Sequence, residues 1–105
     1  VKVLDAVLEV ADARRHRVQT ADVNRALREL VARRQPPQAG GAEVKLLYGS
    51  QVSVAPPTFA IVSSRPETIP DSYRRFLING LRERFGFRGS PIRVRFRARR
   101  RERAR

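Results

Sequence analysis

Arg93, Arg95 and Arg97 stand at alternate positions between Ile92, Val94 and Phe96, and five more arginines fall in the eight residues that follow. Side chains alternate faces along a strand, so the three arginines would line one face roughly 6.5 to 7 Å apart while the apolar residues enter a core. That spacing is close to that of successive phosphates in an extended nucleic-acid strand, and a guanidinium binds phosphate through paired hydrogen bonds. Arg99, Arg100 and Arg101 then open a tail, residues 99–105, with no large apolar residue to anchor it, and a mobile segment is expected. Residues 91–105 carry +7 of the total charge of +13. With a sequence pI near 11.8, this points first to a polyanion, nucleic acid ahead of an acidic membrane surface. A solvated tail that only maintains solubility is the competing reading.

Other chemistry finds little footing. There is no cysteine, hence no disulfide, thiolate nucleophile or zinc-thiolate cluster, as is usual for a cytoplasmic protein. His16 is the single histidine, and metal and triad sites need partners that its basic turn does not offer. Glu9 and Asp12 form an ordinary helix-surface pair. Lys2 and Lys45 are the two lysines, and neither sits in a Gly-x-x-x-x-Gly-Lys-Ser/Thr loop. No catalytic residue, metal ligand or cofactor site is therefore expected, and the chain reads as a non-enzyme. No apolar run approaches a membrane span, so no membrane partner is expected.

The elements that must position the arginines follow from periodicity. Val3, Leu4, Val7, Leu8 and Ala11 predict an amphipathic helix over residues 2–14. Thr20 is placed to cap a second helix carrying Val23, Leu27, Leu30 and Val31, with Asp22 in its first turn, and Pro36-Pro37 stops it. Gly40 and Gly41 predict a flexible connection over 38–42. Val44, Leu46 and Tyr48 mark a strand that continues irregularly through Val54, and Thr58–Ser63 reads as an interior strand. Asp71 or Ser72 caps a third helix whose apolar face holds Tyr73, Phe76, Leu77, Gly80, Leu81 and Phe85, with Arg74, Arg75, Arg82 and Glu83 opposite. Gly86 ends it, and the arginine strand follows. Tyr48 and Tyr73 could stack on bases, but both fall in the apolar phase of their elements, and core packing is expected for each. The order α-α-β-β-α-β predicts an α+β domain over residues 1–98, a three-stranded sheet with helices on one face and the arginines on the other.

Three blocks carry a resemblance. Thr20 to Pro37 includes Asn24, Leu27 and Gln35-Pro36-Pro37; Lys45 to Phe59 includes Gln51-Val52 and Ala55-Pro56-Pro57-Thr58-Phe59; the third runs from Ser72-Tyr73-Arg74-Arg75-Phe76-Leu77 to Gly89-Ser90-Pro91-Ile92-Arg93. In this order and spacing they resemble the carboxy-terminal KH-like domain of the EngA/Der family. The resemblance implies a KH-like domain following two tandem GTPase domains, in a cytoplasmic, monomeric bacterial factor that assembles the large (50S) ribosomal subunit. GTP and Mg would belong to those other domains. Residues 1–14 would join this domain to the second of them, and a start at Val1 without Met is read as an incomplete chain with more protein upstream.

RNA-binding KH domains clamp four nucleotides with a Gly-x-x-Gly loop between two helices. Gly86-Phe87-Arg88-Gly89 has that form but lies between the third helix and the last strand, where a helix-ending turn explains it. The segment 64–70, where the clamp belongs, is too short for a helix plus clamp. Contact through shape and phosphate is expected instead, from Arg93, Arg95, Arg97, Arg99, Arg100, Arg101 and Lys45, extended by Arg33 and Arg34. The partner expected is ribosomal RNA of the large subunit. The alternative is an intramolecular regulatory module whose basic face docks on the GTPase domains of the same polypeptide and is released with nucleotide state. DNA binding ranks below both, since no helix suits the major groove.

Overall fold

The computed structural model describes residues 17–87 and 89–99. The expected helix over residues 2–14, His16, Arg88, Arg100, Arg101 and the rest of the tail lie outside the described residues. Helix α1 spans Thr20–Arg33, strand β1 Leu46–Val54, strand β2 Pro57–Ser63, a 3-10 turn Pro66–Thr68, helix α2 Asp71–Phe85 and strand β3 Arg93–Ala98. The sheet order is β1-β2-β3, with β1 antiparallel and β3 parallel to β2. A parallel pair needs a crossover, which α2 supplies. The result is the α+β architecture the sequence predicts.

Both helices pack on the same side of the sheet. Val23, Ala26, Leu27 and Leu30 of α1 and Tyr73, Leu77 and Leu81 of α2 meet Phe59, Ile61 and Val94 in one core, closed at its ends by Val18, Val44, Ile69, Phe87 and Ile92. Burying a large apolar side chain in this way contributes about 1.5 to 3 kcal/mol. Gly80 sits where α2 crosses α1, and a Cβ there would stand 2.8 Å from Leu30 Cδ1. Arg84 of α2 also pairs with Glu29 of α1, and this guanidinium holds the Glu29 carboxyl below the usual carboxylate range. Tyr73 is fully buried, donating its hydroxyl to the Arg34 carbonyl at 2.7 Å, and burial pushes its phenol up to about 12.

β1 is an edge strand, and at Gly49 and Gln51 side chains answer its backbone groups. The Asn24 carboxamide accepts from the Gly49 N–H at 2.8 Å and donates to the Gly49 carbonyl at 3.1 Å, so it acts as a one-residue strand partner. Two residues on, the Gln51 side-chain oxygen accepts from the Val18 N–H at 2.6 Å, and Arg17 donates to the Gln51 carbonyl at 2.9 Å. Occupied edges of this kind resist pairing with a foreign strand.

Several local expectations are corrected. Gln19, not Thr20, is the N-cap of α1, and it makes no side-chain capping bond. Pro70, not Asp71 or Ser72, is the N-cap of α2; its φ of −75° and ψ of 158° are extended, and a residue without an N–H suits the entrance to a helix. The segment expected to be a flexible connection closes tightly, with Ala39 and Ala42 exchanging both backbone hydrogen bonds, at 3.0 and 2.9 Å, around Gly40-Gly41. Arg74, assigned to the solvent face of α2, is half-buried and lies over the Phe96 ring with its guanidinium carbon 5.3 Å from the centroid.

Candidate nucleic-acid interface

β3 forms because its apolar residues alternate, and its register fixes where the arginines go. Val94 pairs with Phe59 and Phe96 with Ile61, both on the helix side. Arg93, Arg95 and Arg97 pair with Thr58, Ala60 and Val62 on the opposite side, and all three arginines are exposed. Among the described residues, none of the three makes an ion pair. The three strands carry no carboxylate at all. The open face therefore holds three guanidinium groups with no negative side chain on any strand beside them.

β1 completes that face from the far side. Ser50 pairs with Ala60 and Tyr48 with Val62, so the rows read Ser50-Ala60-Arg95 and Tyr48-Val62-Arg97 across the sheet. This corrects the expected burial of Tyr48, which is 54% exposed. The cause is a register shift: Leu46 pairs with Ser63 and Tyr48 with Val62, which leaves Leu47 as an extra residue. An inserted residue reverses the phase of the alternation, so a side chain expected inside emerges outside. Leu47 is itself exposed. The Leu46-Leu47 doublet, which breaks strict alternation, is the one local sign of this in the sequence. Between Leu47, Tyr48 and α1 lies an apolar groove of about 480 Å³, lined also by Val31 and Arg28.

Lys45 and Arg99 extend the basic surface at one end of the sheet. Lys45 immediately precedes β1 and is exposed; its backbone N–H donates to the Ser64 hydroxyl and its carbonyl accepts from the Ser64 N–H, both at 3.0 Å. Ser63 pairs with Leu46 on one side and with Ala98 on the other. Lys45 and Arg99 thus lie just beyond the row Leu46-Ser63-Ala98, at the end of the sheet nearest Tyr48 and Arg97. Lys45, the one lysine among the described residues, precedes a strand and does not sit in a glycine-rich loop opening a helix, the setting of a phosphate-loop lysine. Arg33 and Arg34 are not brought to this face. Arg34 belongs to the helical side, over the rings of Tyr73 and Phe76 at 5.7 and 5.3 Å.

Gly86 and Phe87 end α2 in a turn. Gly86 has φ +76°, and its N–H and that of Phe87 both donate to the Arg82 carbonyl, at 2.9 and 3.2 Å. Such a left-handed residue past a helix end favours glycine. The Phe87 ring enters the core, edge-on to Phe59 at 6.1 Å, and is not displayed to a ligand. Between β2 and α2 the chain makes only the 3-10 turn Pro66–Thr68. Among the described residues no three His, Cys, Asp or Glu side chains gather as a metal site, and no helix is long and apolar enough to cross a membrane.

Comparison with known proteins gives one consistent result. Residues 17–97 match the family model of the C-terminal KH-domain-like region of EngA bacterial GTPase enzymes. The chain is 56% identical over 93 residues to the GTPase Der of Gemmatimonas aurantiaca, covering 89% of this chain and 21% of that protein. It is 50% identical to the GTPase Der of Parvibaculum lavamentivorans, covering 89% of this chain and 20% of that protein, and 47% identical to that of Moorella thermoacetica, covering 91% and 22%. The chain spans about a fifth of the length of these curated relatives.

Proposed function

Since this chain belongs to the family of KH-like C-terminal domains of EngA bacterial GTPases, we propose that it is the RNA-binding module of a ribosome-associated GTPase, contacting ribosomal RNA during large-subunit assembly. The observation that carries this reading is the arginine row. Arg93, Arg95 and Arg97 stand exposed on the open face of the sheet, on strands that bear no carboxylate. Lys45 and Arg99 widen the cationic surface, and Arg100 and Arg101 continue it in sequence. Phosphate neutralisation by such a surface releases counterions and draws RNA from a distance, with no demand for particular bases. A helix-ending left-handed Gly86 where the Gly-x-x-Gly form begins, and a 3-10 turn where the clamp belongs, favour this mode over a four-nucleotide grip. GTP and Mg would be held by other domains of the polypeptide.

The test is the salt dependence of binding to a large-subunit rRNA fragment by three proteins: the intact chain, a truncation after Ala98 and Arg93→Ala/Arg95→Ala/Arg97→Ala. With about six to eight phosphates engaged, the logarithmic slope on a single strand is expected near −4 to −6 for the intact chain. The triple variant should lose about 2 of that slope, since each phosphate contact contributes about 0.7. Binding lost on truncation alone would reduce the folded domain to a spacer behind an electrostatic tether. Nucleotide-dependent binding to the separated GTPase domains, with no RNA binding, would favour the regulatory alternative.

A further inference from the structure

We infer that Tyr48 is a base-stacking residue and that the open face of the sheet takes single-stranded RNA in preference to duplex; this rests on the RNA-binding reading above and adds a determinant to it. Three features converge on Tyr48. The residue is more than half exposed, although it lies in a strand whose other side is core. It shares a row with Val62 and Arg97, so ring and guanidinium stand about 10 Å apart, two strand spacings. A nucleotide lying across that row can place its base on the ring and its phosphate at Arg97. Val62 forms the floor between them, and the next row is low, with Ser50 and Ala60 as its outward residues beside Arg95.

The surroundings of Tyr48 also fit a base. At the edge of β1 facing α1, Tyr48 lines a mainly apolar groove together with Leu47, Val31 and Arg28. An acidic or phosphate-bearing occupant meets no opposing carboxylate on the strands. Stacking on an aromatic ring requires a base free of its helix, whereas phosphate contact is indifferent to pairing. The arginines alone would not separate single strand from duplex; Tyr48 is what makes that distinction.

The experiment measures binding of the 105-residue chain to a labelled RNA of about 12 nucleotides, as a single strand and annealed to its complement, over a range of salt. Tyr48→Ala is expected to weaken single-strand binding about 5- to 10-fold while leaving the salt slope and duplex binding unchanged; Tyr48→Phe should stay within about 2-fold. Tyr48→Leu, which keeps apolar bulk without a ring, should resemble Tyr48→Ala and guards against a change in β1 itself. The chain has no Trp, and its only other tyrosine, Tyr73, is buried. Quenching of tyrosine emission by single-stranded RNA, absent in Tyr48→Phe, would therefore report the stacked ring directly. Unchanged single-strand affinity in Tyr48→Ala, with the arginine triple variant still impaired, would overturn the stacking role and leave the phosphate reading standing. Equal weakening of single strand and duplex would overturn it too, and failure of the intact chain to bind any RNA would overturn both.

Discussion

Gly80→Ala should destabilise this domain even though it replaces glycine in the middle of a helix. Alone on a helix the change would gain about 1 kcal/mol in propensity. Here the new methyl would overlap both methyl groups of Leu30, standing 2.8 Å from Cδ1 and 3.1 Å from Cγ, against an ordinary carbon contact of about 3.5 to 4.0 Å. Leu30 is buried, so it has little room to swing aside. Overpacking of this kind costs about 1 to 3 kcal/mol, which leaves a net loss of about 1 kcal/mol. Leu30→Ala alone should cost about 2 to 5 kcal/mol through lost burial and the cavity left behind. In that background the Gly80 methyl enters vacated space, and Gly80→Ala should turn stabilising by about 1 kcal/mol. The double-mutant cycle thus carries a coupling of about 2 kcal/mol, read as shifts in urea midpoint at constant slope. If Gly80→Ala stabilised equally in both backgrounds, the close approach of the helices would not be what requires glycine at this position.

Tyr73→Phe should cost about 1 kcal/mol at neutral pH by removing the hydrogen bond to the Arg34 carbonyl. Because burial raises the Tyr73 phenol to about 12 from its ordinary value near 10, the unfolded chain ionises first; wild-type stability is intact below about pH 10 and falls as pH rises towards 12, whereas Tyr73→Phe should lack this component. Urea midpoints at pH 7 and pH 11 check both statements, and identical pH dependence in the two proteins would refute the second. Asn24→Ala strips the buried Gly49 backbone of both edge partners and should cost about 1 to 3 kcal/mol, with faster hydrogen exchange at the Gly49 amide; unchanged protection there would mean that another group covers the edge.

The arginine face was legible because β3 is short, uninterrupted and strictly alternating, so two-residue periodicity assigns its sides correctly. The α2 face was legible for the matching reason, since Tyr73, Leu77 and Leu81 repeat every four residues and all three are fully buried. Tyr48 was misread because periodicity holds only while the register does, and the extra residue at Leu47 is a property of the pairing with β2. The helix starts were misplaced by one or two residues, as hydroxyl and carboxylate side chains signal a cap only when they reach a free N–H. The contacts of Arg34 with Tyr73 and Phe76, and of Arg74 with Phe96, join residues from separate elements that no local pattern links. The Asn24 bridge to Gly49 belongs with them: Asn24 falls in one of the blocks that carry the family resemblance, but its role needs the edge of β1 beside it.

The distribution of charge matters more to function than its total. On the helical side carboxylates and arginines are mixed, and Asp22, Glu29 and Asp71 each engage one: Arg25, Arg84 and Arg74. Exposed pairs of this kind add little stability, but they dampen the field of that face. The strands contribute only arginine. The helices carry seven arginines against four carboxylates, a net of +3 with the two signs mixed, whereas the strands carry three arginines and no carboxylate. An approaching polyanion is therefore attracted by both layers and meets a surface free of opposing strand carboxylates on the sheet. The register shift at Leu47 then places the one exposed aromatic ring of the strands on that same face, so a device that looks like a defect in pairing joins a short-range aromatic contact to a long-range electrostatic one. Substituting the arginines should change how strongly affinity depends on salt, and substituting Tyr48 should change affinity at every salt concentration by the same factor. That separation of effects is the physical signature expected if both operate on one ligand.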